Sequence, residues 1–336
     1  LHPLFEHYAY SVRFGCSLSE MFAEKKSDNA VKLTKIQRLF RYDSTFEHEK
    51  WLMAYEDYPL WLKAFGDQGF ALYTALTNDK KDVVGSVALA KYPAEHDLPR
   101  VGTLGMYFVH PDYRGTGVGT MLFNKAIAEW KKDGGNMALN GVQKMSPKYA
   151  AIYGFNKLND WHPTPVTVEM RHANVSALHS NPNLRMVSID DVKFEDLLAY
   201  DMSLVGSYRV KYLCEMLRSE NAYHKIAVED GKIVGIINAR KVVSNSLSIG
   251  PFYANNKLTA SSLLRSLLQS ISNVDQYSGL LLCIPTSNKN AFSVIQALSD
   301  GNHTVHPFMI SQFTDQVVGA DHQCVYAITD YAMSYI

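Results

Sequence analysis

Apolar positions along this chain change their period several times, and each change marks an element. Short apolar runs and period-two alternation pick out three strands over 70–77, 83–92 and 101–110. The first two are joined by the turn residues Asn78, Asp79 and Lys80, the next two by the proline-bounded stretch 93–99. Helical patterns dominate roughly 17–65, after an opening strand at 5–14. Farther on, Met121, Leu122, Phe123, Ala126, Ile127 and Trp130 share one stripe, which predicts a helix over 118–132 ending at Gly134-Gly135. A strand near 137–143, a short helix near 147–153 and a strand near 164–170 follow, and 176–183 reads as a linker.

After the linker the same rhythm returns. It predicts a strand at 184–189, two helices within 190–219, and strands at 225–228, 233–240 and 247–253. A helix over 258–272, a strand at 279–285, a helix at 288–299 and strands near 305–313 and 323–329 complete it. Landmarks coincide: Val84-Gly85 matches Val234-Gly235, and Leu104-Gly105 matches Ile249-Gly250. The chain therefore reads as a long-period repeat of two α/β (α+β) domains with mixed sheets, 1–178 and 184–336, joined by a linker at 179–183.

The copies differ at one place that carries chemistry. Residues 110–123 read HPDYRGTGVGTMLF, a strand end running through three glycines into a helix. Such a turn presents backbone N–H groups beside the positive end of a helix dipole, which suits a pyrophosphate. Glycine permits positive φ and close approach, and Arg114 adds a cation. The Walker A cradle is excluded because no lysine follows before Lys125, and the dinucleotide fingerprint fails at Thr120. In the second copy, Asn255-Asn-Lys-Leu-Thr-Ala-Ser261 occupies the place, and the path from Gly250 to Leu264 is fourteen residues against seventeen from Gly105 to Leu122. A ligand held by this loop is expected only in the first half.

The run Arg114-Gly-Thr-Gly-Val-Gly119, preceded by Val109-His-Pro-Asp-Tyr113 and followed by an apolar helix, resembles the acetyl-CoA loop of the GNAT superfamily of N-acyltransferases. The resemblance covers about residues 5–170, and the tandem layout is similar to two-domain GNAT proteins with a degenerate C-terminal copy. It implies two domains, each a mixed, mostly antiparallel central sheet flanked by helices. It also implies a site for acetyl-CoA formed by Arg114, Gly115, Thr116, Gly117, Val118, Gly119 and Thr120. The pantetheine arm would run along the strand through Phe108 and Val109, where that strand splays from 137–143, and a backbone N–H there would hold the oxyanion. The amine would attack the thioester directly in a ternary complex.

The same resemblance implies a tyrosine acid for the departing thiolate on the helix near 147–153. Counting back from Gly154 lands on Ala150, so Tyr149 and Tyr153, one helical turn apart, both stand as candidates. Residues 103–107 offer no carboxylate base, which leaves a water chain ordered by Asp57, Tyr58 or Asn140. Asp57 and Tyr58 fall in the helical region that would roof the acceptor cleft, where an aromatic–carboxylate pair suits a cationic amine. The expected activity is acetyl-CoA-dependent N-acetyl transfer to a small-molecule or peptide amine. The displaced tyrosine and missing base keep open a non-catalytic acyl-CoA-binding or sensing protein, and a scaffold without ligand is a third reading.

Composition narrows the field. Lys plus Arg equals Asp plus Glu, 33 each, so no global field draws nucleic acid or an anionic membrane. The longest apolar runs, such as 279–284, fall far short of the ~20 residues a bilayer needs, and no secretory leader is read at the start. Cys16, Cys214, Cys283 and Cys324 are scattered and read as reduced thiols of a cytoplasmic protein. His303 and His306 lack a third ligand, so no metal is expected. A homodimer is left open.

Overall fold

The computed structural model describes residues 9–11, 53–54, 56–77, 83–132 and 134–336. The helices expected before residue 53 and the position of Cys16 lie outside the described residues. The first half runs β1 (Ala9–Ser11), α1 (Asp57–Gly69), β2 (Phe70–Leu76), β3 (Val83–Tyr92), β4 (Val101–Val109), α2 (Val118–Trp130), β5 (Asn136–Val142), α3 (Ser146–Tyr153), β6 (Lys157–Leu158) and β7 (Pro163–Glu169). The second runs β8 (Arg185–Val187), α4 (Phe194–Leu204), α5 (Val210–Leu217), β9 (Ala222–Glu229), β10 (Lys232–Lys241) and β11 (Leu247–Ala254). It ends with α6 (Lys257–Ser270), β12 (Gly279–Pro285), α7 (Lys289–Ser299), β13 (Thr304–Val305), β14 (Met309–Phe313) and β15 (Val325–Ala327). The expected elements in the described range are present within a few residues of their expected bounds, with 305–313 divided into β13 and β14.

Among the described residues the strands form two mixed sheets flanked by helices, as expected for the fold class. One has the order β1-β2-β3-β4-β5-β14-β6, the other β13-β7-β12-β11-β10-β9-β8 with β15 beside β11. Only β4–β5 and β11–β12 pair in parallel, and the other ladders are antiparallel. The sheets do not divide at 179–183. β7, from the first half, pairs with β12 from Pro163↔Pro285 to Glu169↔Gly279. β14, from the second half, pairs with β5 from Met309↔Val142 to Phe313↔Ala138. The repeat thus holds along the chain, while each half lends a strand to the other's sheet. Both are short strands, and alternation specifies a face, not a partner.

The matching glycines have matching causes. A Cβ on Gly85 would meet Leu122 and Val118 of α2, and one on Gly235 would meet Leu263 and Thr259 of α6, so each glycine lets a helix settle on its sheet. A Cβ on Gly105 would strike the backbone of Ala332, and one on Gly250 that of Ile328 and Thr329. Both therefore admit the segment 328–336, which passes between the two sheets. Tyr92 Oη and Thr103 Oγ1 each donate to the Met333 carbonyl, at 2.7 and 2.8 Å. The Thr329 hydroxyl bonds the Tyr253 hydroxyl at 2.7 Å and donates to the Ile336 carbonyl at 2.7 Å. Phe65, Tyr92, Tyr212 and Tyr335 then make a chain of edge and tilted ring contacts at 5.0–6.3 Å that joins the two halves in one core.

Candidate active site

The glycine loop leads from β4 into a helix N-terminus. After β4 a short 3-10 turn at Pro111–Tyr113 reverses the chain, and His110 Nδ1 accepts the Asp112 N–H. Gly115 and Gly117 follow with φ of +84° and +94°, where a side chain would be strained although nothing lies near enough to touch it. Gly117 is the N-cap of α2 and brings no side-chain bond, so Val118, Gly119 and Thr120 present first-turn amides without a capping acceptor. Gly119 is different: a Cβ there would run into the Tyr107 hydroxyl, so its role is close packing. Arg114 stands at the rim with Nε donating to the Val109 carbonyl at 3.0 Å. Thr116 donates to the Tyr113 carbonyl through both its hydroxyl and its N–H, Val118 is buried, and neither lines the cleft beside the loop. The buried stripe of α2, Val118, Leu122, Phe123, Ala126 and Trp130, anchors this end to the sheet.

The loop opens into a cleft made by a strand divergence. Pairing of β4 with β5 ends at Thr103↔Ala138, and beyond it the strands separate. A bulge assists: opposite Ser86–Ala88, β4 runs Phe108–Gly105 with one extra residue, and Met106 takes φ +49° while its carbonyl accepts from Ser86 Oγ at 2.8 Å. A cavity of about 1480 Å³ fills the divergence, lined by β4 from Thr103 to Val109, by Arg114, Gly115, Gly117, Gly119 and Thr120, and by Leu139–Val142 of β5. Lys144 and Lys148 line it as well, both exposed.

In the second sheet the corresponding divergence is closed. β11 pairs in parallel with β12 only over Leu247–Ile249, and β15 then takes up Phe252 and Tyr253. Asn256 caps α6, its Oδ1 accepting the Thr259 N–H at 2.9 Å. In this copy the wedge is taken up by β15, and one first-turn amide, that of Thr259, by the Asn256 cap.

The two tyrosine candidates separate in space. Tyr149 is 7% exposed, stacks on Phe123 at 5.4 Å and lines the cavity. Burial, and then the neighbouring phenols Tyr107 and Tyr153, push its pKa up, so it keeps its proton at neutral pH. Tyr153 packs on Phe123 at 4.4 Å, bonds Thr120, and does not line the cavity. Tyr107, which sequence reasoning passed over, does line it and packs edge-on to Phe123 and Tyr149. The strand alternation around it gave no hint, because the bulge at Met106 shifts which residues face the cleft.

The far end of the cavity is roofed by α1, the second sheet and the segment 328–336. Asp57 reaches it, but Oδ1 is ion-paired with Arg240 of β10 and Oδ2 accepts the Ala54 N–H at 2.8 Å. Tyr58 turns away, packing edge-on to Phe70 in the core, and does not line the cavity. Asn140 is on the wall with both ends engaged, donating to Ser334 O at 3.0 Å and accepting from Ser311 Oγ at 2.8 Å. Trp61, Arg240, Asp330 and Tyr331 complete this end. Trp61 belongs to the aromatic–carboxylate stretch 57–61, while Arg240, Asp330 and Tyr331 carry no local signal, since they join it only when the halves pack. Among the described residues there is no group of three or more metal-ligating side chains and no helix long and apolar enough to cross a membrane.

Comparison with known proteins agrees with this geometry. The profile of the acetyltransferase (GNAT) family matches residues 36–153, and that of an acetyltransferase (GNAT) domain matches 197–326. An uncharacterized protein of Caenorhabditis elegans is 27% identical over 195 residues, 55% of this chain and 58% of that protein, so the match spans little more than half of the relative's length. A crystal structure described as a candidate acetyltransferase from Pyrococcus horikoshii superposes with a TM-score of 0.65 at 14% identity, covering 99% of this chain and 98% of that one. A tandem GNAT protein from the clavulanic acid biosynthesis pathway superposes with a TM-score of 0.55 at 17% identity, over 86% and 94% of the two chains. At these identities the two structures speak for the fold.

Proposed function

Since the chain belongs to the GNAT acetyltransferase family, with two such domains in tandem, we propose that its first domain transfers an acetyl group from acetyl-CoA to an amine. The observation that supports this most is the pairing of an uncapped, glycine-led helix N-terminus with an open strand divergence in one copy, against a capped helix and a filled divergence in the other.

The residues fit the cofactor. Amides of the loop and first turn of α2 would hold the pyrophosphate, with Arg114, Lys144 and Lys148 around the mouth to offset its charge. The edge of β4 through Phe108 and Val109 would take the pantetheine amides and present a backbone N–H to the developing oxyanion, worth about 3 kcal/mol in comparable sites. The divergence holds thioester and amine side by side, which removes much of the entropic cost of their meeting. Tyr149 would donate its proton to the leaving thiolate.

A free-thiol release assay with acetyl-CoA across a panel of amines tests the reading, alongside calorimetry of acetyl-CoA. Saturable binding that Arg114→Glu weakens about tenfold or more, together with turnover, is expected. Binding without turnover on any amine would favour the sensing reading, and absence of binding would sink both.

A further inference from the structure

Among the described residues two arginines are buried, Arg209 and Arg240, and they are provided for differently. Arg209 Nη1 donates to Thr329 Oγ1 at 2.5 Å and to the Ile336 carbonyl at 3.4 Å, and its Nη2 to Asp201 at 2.8 Å and the Tyr253 hydroxyl at 3.0 Å. Only its Nε is left over. Arg240 is 4% exposed, and the bond it makes runs from Nη1 to Asp57 Oδ1. Its Nε is buried without a partner, and among the described residues Nη2 has no acceptor either. Asp57 can give little more, since its Oδ2 takes the Ala54 N–H. A guanidinium carries several N–H donors in a rigid fork, and leaving them unbonded out of water is costly. Burial outweighs the nearby Glu56 carboxylate and pulls the Arg240 pKa down to about 10, the direction of a cation that its surroundings do not fully compensate.

Their places in the fold differ as well. Arg209 lies in the core, whereas Arg240 is on the wall of the cleft that β4 and the glycine loop also line. Cross-strand pairing sets Arg240 opposite Ser248 of β11, so Ser246, two residues back, falls on the same sheet face, and it lines the cleft too. The corner is held from both sides. The Val243 N–H donates to the Met53 carbonyl at 2.9 Å, which ties the β10–β11 turn to the approach of α1, and Asp57 fixes the guanidinium from the first turn of that helix. The other acid of this wall, Asp330, is settled inside the protein, by the N–H groups of Ala332, Met333 and Ser334 and by the Trp61 indole. Arg240 is the charged group here whose donors a ligand can complete.

We infer that the Arg240 guanidinium, with the Ser246 hydroxyl on the same face, binds a carboxylate of the acceptor, so that the substrate class is an aminocarboxylic acid and not a plain amine or polyamine. The inference rests on the acetyl-transfer reading of the cleft. A carboxylate brings two oxygens in one plane, the arrangement a guanidinium fork matches. Its single charge suits a cation that Asp57 already partly offsets, whereas a phosphate group carries close to two at neutral pH and would overload the site. The carboxylate is held and takes no part in the exchange of bonds; it fixes the acceptor at one end of the cleft that β4 lines at the other. The residue that selects the substrate thus comes from β10 of the second half, the copy without a glycine loop.

The test measures acetylation of matched pairs by the wild-type protein at saturating acetyl-CoA: 4-aminobutanoate against 1-aminopropane, and phenylalanine against 2-phenylethylamine, with 3-aminopropylphosphonate as the phosphate-like arm. The expected result is a kcat/KM about 100-fold or more higher for the carboxylate member of at least one pair, chiefly through KM. Arg240→Lys keeps a cation for Asp57 and loses the fork. In it that ratio is expected to fall about tenfold or more, with acetyl-CoA affinity within about twofold by calorimetry. Plain amines used by the wild type as well as their carboxylate partners would overturn the assignment and leave acetyl transfer standing, as would a ratio unchanged in Arg240→Lys. Equal use of 3-aminopropylphosphonate and 4-aminobutanoate would overturn the carboxylate. If the variant fails to fold, the matched pairs on the wild type still decide. Acetyl-CoA bound with none of these probes acetylated overturns the aminocarboxylate class alone; failure of the wild type to bind acetyl-CoA overturns the reading of the cleft, and this assignment with it.

Discussion

Tyr149 and Tyr153 lie one turn apart on one helix face, yet their surroundings differ. Tyr149 is clamped between Phe123 and the cavity, and its raised pKa keeps the proton on oxygen at neutral pH. Tyr149→Phe is expected to lower kcat about 10- to 100-fold while leaving acetyl-CoA affinity within about twofold, as read by steady-state kinetics and calorimetry. Tyr153→Phe loses the bond to Thr120 and should change kcat less than about threefold. A reversed order of the two effects would reassign the acid. Gly105 offers a second single-residue test. Its missing Cβ makes room for the Ala332 backbone, so Gly105→Ala must push the segment 328–336 off the strand. The expected cost is about 1–3 kcal/mol in urea unfolding, with a rise in amine KM and little change in acetyl-CoA affinity.

Between elements, the contrast of α2 with α6 shows how one architecture is opened or closed. Both helices follow a strand that leaves its parallel neighbour, and both settle over a glycine of the preceding strand. In the second copy Asn256 takes the Thr259 amide and β15 takes the strand edge, whereas in the first α2 has no side-chain cap and the cleft stays open. A different device ties β9 to the 3-10 turn Ile189–Asp191 that follows β8. His224 Nε2 accepts the Ile189 N–H at 3.1 Å, and burial followed by Lys225 lowers its pKa below 6.5. A base with a depressed folded pKa costs nothing while both states are neutral. Its destabilising effect begins as pH falls through the unfolded value and grows until the folded form also protonates. The urea midpoint is therefore expected to drop between about pH 7.5 and about 5.5, and His224→Asn to remove part of that drop. An unchanged pH slope in the variant would show that the ring does not carry it.

For the molecule as a unit, the exchange of β7 and β14 makes the halves interdependent. A fragment ending at 178 keeps β7, a strand of the other sheet, and lacks β14, which covers one edge of β5. The Asp57–Arg240 and Asp201–Arg209 pairs and the aromatic chain across the junction would also be cut or exposed. Fragments 1–178 and 184–336 expressed apart are expected to aggregate, and co-expression to restore a complex that co-purifies. Two fragments that each unfold cooperatively and stay monomeric would argue against interdependence.

Period and turn chemistry along the chain were enough to read the repeat, nearly every described element, and the glycine loop with its replacement in the second copy. These are local properties: φ/ψ preferences, face periodicity and the amides of one helix end depend on residues close in sequence. Which sheet β7 and β14 join, the closure of the second divergence by β15, the retreat of Tyr58 into the core and the use of Asp57 by Arg240 came only with packing. So did Asp330, an acid without a motif, whose placement depends on Thr329 finding Arg209 and Ala332 finding Gly105. Partners far apart in the chain are chosen by fit and by the cost of burying unpaired polar groups, and neither quantity exists until the two sheets meet.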